Sequence, residues 1–322
     1  MPLKMIPARK PDLTGDKTPA SSLWRYVWRM SGTHQIWVSL LAVVVAALSM
    51  VPIELQRRLV DDAISDGKLD LLLKLAGAYG AVLILHGICK YLLRLYQGWL
   101  SESSIRYNRL HLSQLHEEHE GDSAHEEDGK VVSIIGSEID KLGGFVGECL
   151  SQPVVNTAML VFGMGYMFSK APLVAAIGLA ALVPQALLVP LVQKRINVLI
   201  ARRVNTMRRV SDDLTQLPHD DTDLDETALP DRIDLLYRNR MMTFVLKFGM
   251  KAIINFLNGA TPLIVLIVGG YLVIEGQTTI GIVVAFISGF DRLSDPMREM
   301  LSYYRVAAQA NVQHKMIARW MR

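Results

Sequence analysis

QIWVSLLAVVVAALSMVPI, residues Gln35 to Ile53, carries no charged side chain across nineteen positions. A helix rises about 1.5 Å per residue and a bilayer core calls for ~20 apolar residues, so this run is long enough for one membrane span. Similar uncharged runs follow at Leu75 to Cys89, Cys149 to Ser169, Ala171 to Gln193, Ala252 to Ile274 and Gly276 to Phe290. Hydrophobic residues make up 51% of the 322 and mean hydropathy is +0.25, so the runs decide the class: an integral membrane protein. Two runs are short. The second extends over Tyr91 to Leu100 if Lys90 and Arg94 face inward or snorkel, and the sixth must carry Asp291 and Arg292 at the membrane boundary. The expectation is an all-α membrane protein with six spans.

Lys and Arg in the connections set the expected orientation, because positive charge near span ends stays on the cytoplasmic side. The Asn197 to Lys247 segment holds eight (Arg202, Arg203, Arg208, Arg209, Arg232, Arg238, Arg240 and Lys247), and the N-terminal arm holds six more before the first run. The third-to-fourth connection has only Lys170 and the fifth-to-sixth has none. Arg57, Arg58 and Lys68 in the first-to-second loop run against this, but four Asp share that loop. Both termini are expected in the cytoplasm, with the chain in a bacterial plasma (inner) membrane.

The first run is read as a span and not as a signal peptide, since Glu54 to Arg58 after it lacks a small-residue cleavage pattern. Upstream, LWRYVWRM (Leu23 to Met30) interleaves Trp24, Tyr26 and Trp28 with Arg25 and Arg29, which suits an interfacial helix at the end of a cytoplasmic arm, residues 1–33. Residues 34–322 form the membrane domain. Cys89 and Cys149 sit in or beside apolar runs, where Cys packs as a small hydrophobe and suggests neither a disulfide framework nor a metal site.

The second-to-third and fourth-to-fifth connections are long and keep helical character on their flanks, so each is expected to form a cytoplasmic helical hairpin, at about 101–140 and 194–247. Their tips are acidic. HEEHEGDSAHEED (His116 to Asp128) includes Glu117, Glu118, Glu120 and Asp122, and QLPHDDTDLDETALPD (Gln216 to Asp231) includes Asp220, Asp221, Asp223 and Asp225; neither holds a Lys or Arg.

VPIELQRRLVDDAISDGKLDLL (Val51 to Leu72), with Pro52, Asp61, Ala63, Ile64, Gly67 and Asp70, resembles the end of the first helix in the transmembrane domain of ATP-binding cassette (ABC) exporters. GGYLVIEGQTTIGIVVAFISGFDRLSDPMREM (Gly269 to Met300) is similar to that family's fifth-to-sixth helix passage, through Gly270, Tyr271, Gly276, Thr279, Gly281, Phe286, Leu293 and Pro296. GKVVSIIGSEIDKL (Gly129 to Leu142) resembles the ascending arm of its first hairpin, through Gly129 and Asp140. The resemblance covers about Trp24 to Met321. It implies a six-helix exporter domain that pairs with a second transmembrane subunit as a homo- or heterodimer and takes its energy from a nucleotide-binding ATPase domain. No G-x-x-x-x-G-K-[ST] loop occurs. ATP and Mg are therefore expected on a partner, with no cofactor, no catalytic residue and no nucleotide-binding domain in this chain. The lipid bilayer is the other expected partner, and no nucleic acid is.

The family docks its coupling tips on the ATPase with aromatic and apolar residues, and neither tip here has an aromatic. Three readings of the acids stand: solvated loops, a docking surface for a basic partner steered by charge, or a divalent-cation site. Asp221, Asp223 and Asp225 mimic the start of a calcium loop, which fails at Glu226 and Arg232. Intramembrane polar residues mark the candidate substrate path: Asn255 and Asn258, three apart on one helix face, and Asp291, Arg292 and Asp295 on the inner half of the sixth span. A plainer role for Arg292 and Asp295 is to pair with each other along the helix. The competing function is a membrane scaffold or sensor that kept the bundle and lost coupling.

Overall fold

The computed structural model describes residues 6–10, 20–119, 138–215 and 228–320. Among the described residues the ordered elements are all helical: α1 (Leu23–Ser31), α2 (His34–Arg58), a π-helical segment (Leu59–Ile64), α3 (Leu69–His119), α4 (Ile139–Glu148), α5 (Ser151–Lys170), α6 (Pro172–Thr215), α7 (Ala228–Ile274) and α8 (Ile280–Trp320). Among the described residues, four stretches are long and apolar enough to cross a membrane: His34–Ile64, Leu69–His111, Ile139–Lys170 and Pro230–Ile274. The other two expected spans fall on α6 and α8. The apolar run of α8 is cut by Asp291, Arg292 and Asp295, and that of α6 includes side chains at 181, 182, 185 and 186 outside the described set.

Helix α3 has 51 residues, roughly 75 Å at the standard rise, more than twice a bilayer core of ~30 Å. At 44, 47 and 41 residues, α6, α7 and α8 are also longer than a span needs. In a helix the backbone groups are satisfied within one segment both in lipid and beyond it, except beside the interior prolines Pro184 and Pro190 of α6, Pro262 of α7 and Pro296 of α8.

The chain divides into two compact units, Met1–Lys170 with Thr279–Arg322, and Ala171–Thr278. In the first, α2 is the central packing element. Its small residues Ala42 and Ala46 are fully buried with Val38 and Val45 against Leu93 and Leu100 of α3 and Val155 of α5, the close approach that small side chains allow between membrane helices. Further along, Met50 and Ile53 pack on Ala285 of α8. A separate core joins α1, α3, α4 and α8 through Tyr26, Val27, Ile105, Leu142, Phe145, Val146, Ala310 and Ile317.

Helix α1 is amphipathic. Ser22 caps it by accepting from the Arg25 N–H, Leu23, Tyr26, Val27 and Met30 are buried, and Trp24 and Trp28 stay more than half exposed. It stops at Gly32, whose φ of 53° suits glycine. The Arg9 guanidinium lies against Gly32 and donates to the Met30 carbonyl at 2.6 Å, placing positive charge at the negative end of the helix. The Pro7 carbonyl accepts from Trp99 Nε1 at 3.1 Å, so residues 6–10 lie across α3.

In the second unit, α6 and α7 run side by side. A groove near their polar ends is lined by Arg203, Val204 and Met207 from one and Ile233, Tyr237 and Arg240 from the other, so the end of α6 lies beside the beginning of α7.

Candidate functional site

Two sequence pieces 218 positions apart meet at the end of α2. The π-helical segment, with Ser65 N–H donating to the Val60 carbonyl at 3.0 Å, widens the helix where Asp61 projects. Asp61 Oδ2 accepts from Thr279 Oγ1 at 2.7 Å and from Arg57 at 3.3 Å, and Asp61 Oδ1 accepts from the Gly281 backbone N–H at 2.8 Å. A carboxylate thus caps the first turn of α8, where backbone donors lack partners and the dipole favours negative charge. About two turns earlier Glu54 accepts from Arg57 and Arg58 at 2.8 Å and from Tyr166 Oη at 2.9 Å, tying α5 to the same cluster. Gly281 is required by close approach: a Cβ there would lie 2.5 Å from the Arg57 carbonyl oxygen and 2.6 Å from the Asp61 carboxylate.

The candidate path residues fall in both units. Asn255 is exposed and Asn258 half-buried, on α7 of the second unit; Asp291, Arg292 and Asp295 are on α8 of the first. Arg292 and Asp295 do not pair with each other. Arg292 donates to the Ser49 carbonyl at 3.0 Å, beside Pro52, which interrupts the hydrogen-bond ladder of α2. Asp295 pairs with Arg298 one turn on. Asp291 is exposed. Of the tip acids, Glu117 and Glu118 fall on the last turn of α3, and Glu120, Asp122, Asp220, Asp221, Asp223 and Asp225 lie outside the described residues.

A polar seam between α3, α4, α5 and α8 was not singled out from the sequence. Arg94 of α3 pairs with Glu148 of α4 at 2.8 Å and donates to Gln97 Oε1 at 3.2 Å; Gln97 Nε2 donates to Ser151 Oγ at 2.7 Å; Gln152 donates to Glu299 of α8 at 3.4 Å. Gln97 and Gln152 are buried, at 3% and 8% exposure. The available signal was glutamine recurring on otherwise apolar helix faces.

Near the far end of α8 a second polar cluster fixes α1. His314, 5% exposed, packs on the Tyr26 ring with centroids 5.4 Å apart, and Tyr26 Oη meets Ser104 Oγ at 3.2 Å and accepts from Asn108 Nδ2 at 2.5 Å. Burial pushes the Tyr26 hydroxyl up to about 12. Burial likewise holds the His314 imidazole below its ordinary value, with a hydrogen bond to the Ala20 backbone working the other way and Lys315 adding to the depression. The unfolded chain therefore binds the proton more readily. This contribution to stability is fully present above pH ~6.5 and is lost as pH falls toward the folded-state value. Thermal unfolding in detergent should occur at lower temperature at pH 5.5 than at pH 7.5, and His314→Gln should flatten that difference; an unchanged pH profile in the variant would remove His314 from the account.

A family model described as the ABC transporter transmembrane region matches residues 36–215, more than half of the chain. A stretch of 51 residues, 16% of the chain, is 39% identical to a Bacillus subtilis (strain 168) protein, YgaD, named for multidrug export as an ATP-binding/permease protein; the match spans 9% of that relative's length.

Proposed function

The chain belongs to the family of ABC transporter transmembrane regions, and we propose that it is the membrane-spanning subunit of an ABC-type exporter. In this reading six spans, on α2, α3, α4–α5, α6, α7 and α8, carry an unidentified substrate by alternating access. Asn255, Asn258, Asp291, Arg292 and Asp295 line its path. ATP and Mg bind on nucleotide-binding domains outside these 322 residues. Both hairpin tips and both termini face the cytoplasm, and the Asp61 cluster joins the outer ends of the first and sixth spans. A second transmembrane subunit completes the pathway. The observation that carries the proposal is the family match over residues 36–215 together with four apolar spans in the same chain. Support for dimer formation comes from α6 and α7, which form a compact unit of their own while Leu187, Leu191, Phe256 and Leu263 stay exposed; the family resemblance carries these two helices across to the partner subunit.

The acidic tips separate this from the scaffold reading, which the lack of aromatic residues at both tips favours. If the acids dock the ATPase, the native chain purified in mild detergent brings a nucleotide-binding protein with it, identified by mass spectrometry. Exposed charges are screened within ~10 Å at 0.1 M salt, so that complex should loosen as salt rises. Replacing Asp220, Asp221, Asp223 and Asp225 together with Lys should weaken it at low salt while leaving the spans folded. Co-purification indifferent to salt and to the replacement would remove the electrostatic dock. No ATPase partner, and no ATP-driven transport with one supplied, would leave the scaffold.

A further inference from the structure

Two basic side chains, His86 and Lys90, interrupt the apolar stretch Leu69–His111 of α3. At about 3.6 residues per turn, Tyr79, His86, Lys90, Leu93 and Gln97 fall on one face of that helix. Three of them meet other helices: Tyr79 Oη accepts from Gln56 at 3.3 Å, Leu93 packs in the core with Ala42 and Ala46, and Gln97 donates to Ser151. His86 and Lys90 therefore point toward the bundle. Lys90 is nevertheless exposed, so it borders open space on that side. The same contacts fix the depth. With Gln56 opposite Tyr79, and Leu93 among Ala42 and Ala46, His86 lies level with Ser49, midway along His34–Ile64 and about 22 Å from either end. Arg292 of α8 reaches this level too, donating to the Ser49 carbonyl at 3.0 Å, and His86 feels the charge of both Lys90 and Arg292. Among the described residues neither Lys90 nor Arg292 has a carboxylate partner. Asp295 is taken by Arg298, and Asp291, next to Arg292 in sequence, points about 100° around the helix from it.

Ionisable groups inside a membrane pair with one another or face a water-filled cavity. Two permanent cations and an imidazole at one depth, with no acid among them, favour an anion. At this level α2 otherwise offers apolar Val45, Ala46 and Met50, and its Ser49 hydroxyl is engaged by the Ala46 carbonyl at 2.7 Å. We propose that His86, Lys90 and Arg292 bind an amphipathic organic anion, an oxyanion head on an apolar body, with the head between Lys90 and Arg292, and that anions of this class are the cargo. As a statement about cargo this rests on the exporter reading. An inorganic anion would meet the charges but make no use of the apolar walls. A lipid headgroup sits at the bilayer surface, about 20 Å from Ser49.

The test is fluorescence titration of 1-pyrenesulfonate into the full chain in phosphatidylcholine nanodiscs, against protein-free nanodiscs. Saturable binding is expected, weakened about tenfold by Lys90→Gln and by Arg292→Gln, the loss expected for one charge-assisted hydrogen bond, and kept by Lys90→Arg. The matched cation 1-pyrenemethylammonium should neither bind saturably nor compete. Where Arg292→Gln lowers the unfolding temperature by freeing the Ser49 carbonyl, Lys90→Gln, on an exposed side chain, carries the comparison alone. The absence of saturable binding would overturn the proposal, as would binding indifferent to Lys90→Gln. Equal affinity for the cation would leave only an apolar crevice, and displacement by excess chloride only an inorganic-anion site; either result sinks the amphipathic anion. In phosphatidylglycerol nanodiscs the ratio of affinities between wild type and Lys90→Gln should persist, and its collapse would give the site to a lipid headgroup and overturn the cargo claim. No ATPase and no ATP enter the titration, so a failure to bind removes this site and leaves the exporter reading standing.

Discussion

Gly281→Val should be among the most damaging single substitutions in the first unit, lowering stability by about 3 kcal/mol or more as overpacking adds to lost charged hydrogen bonds. The nearest atoms to the new Cβ are the Arg57 carbonyl oxygen at 2.5 Å and the Asp61 carboxylate at 2.6 Å. The first is backbone and cannot rotate away. Moving the second breaks the bonds that hold the start of α8, from Gly281 N–H at 2.8 Å and Thr279 at 2.7 Å. Asp61→Ala should cost less, about 1–3 kcal/mol, by leaving the Gly281 N–H without an acceptor in a half-buried place, and Asp61→Asn should cost less again because one acceptor oxygen survives. Because the residues touch, the two losses should be less than additive: Asp61→Ala removes the carboxylate clash at residue 281 but leaves the Arg57 carbonyl clash at 2.5 Å. Thermal unfolding in detergent of the two single variants and the double variant measures this coupling. Additive losses would show that the cap is not a shared element.

The second large effect is expected at Gly147, and its neighbours in α4 supply the controls. A Cβ at Gly147 would sit 2.2 Å from the Gln97 carbonyl oxygen and 2.3 Å from Ser101 Oγ, so Gly147→Ala must push α4 away from α3 and open the seam that Arg94 and Glu148 close. A loss of several kcal/mol is expected, above the 1–3 kcal/mol typical of an added methylene, since backbone must move. At Gly143 the nearest atom is Ile105 Cγ1 at 2.3 Å, a buried side-chain atom, with the Ile105 backbone N farther off at 3.3 Å, and Gly143→Ala should cost about 1–3 kcal/mol. At Gly144 a Cβ meets open space, so Gly144→Ala should be neutral or stabilising by up to ~1 kcal/mol through helix propensity. The order of unfolding temperatures should therefore be Gly144→Ala, Gly143→Ala, Gly147→Ala from highest to lowest. A Gly147→Ala protein as stable as wild type would contradict the close packing of α3 and α4.

What the sequence by itself determined is membrane embedding and helical class. A charge-free run such as Gln35 to Ile53 has one favourable environment, and hydropathy is a sum over neighbours in the chain that needs no knowledge of partners. The same local logic located the weakness of the expected sixth span, since Asp291, Arg292 and Asp295, which cut its apolar run, are visible in order. Three quoted motif pieces were enough to suggest the family, and the match over residues 36–215 agrees with that.

Only the tertiary structure decided which polar side chains meet, because pairing depends on the rotation and depth of each helix, and small changes at Pro52 or in the π-helical segment reset both. Arg292 illustrates it: an acid three residues on made an intrahelical pair plausible, but α2 presents the Ser49 carbonyl 3.0 Å away and Asp295 turns to Arg298. Asp61 and Gly281 were each noticed as family positions, while their contact across 220 residues was not legible. The glutamine seam was missed for a related reason. Gln97, Gln152 and Gln313 look like ordinary polar interruptions until three helices bring them inside, where each amide must find a partner or leave an orphaned oxygen.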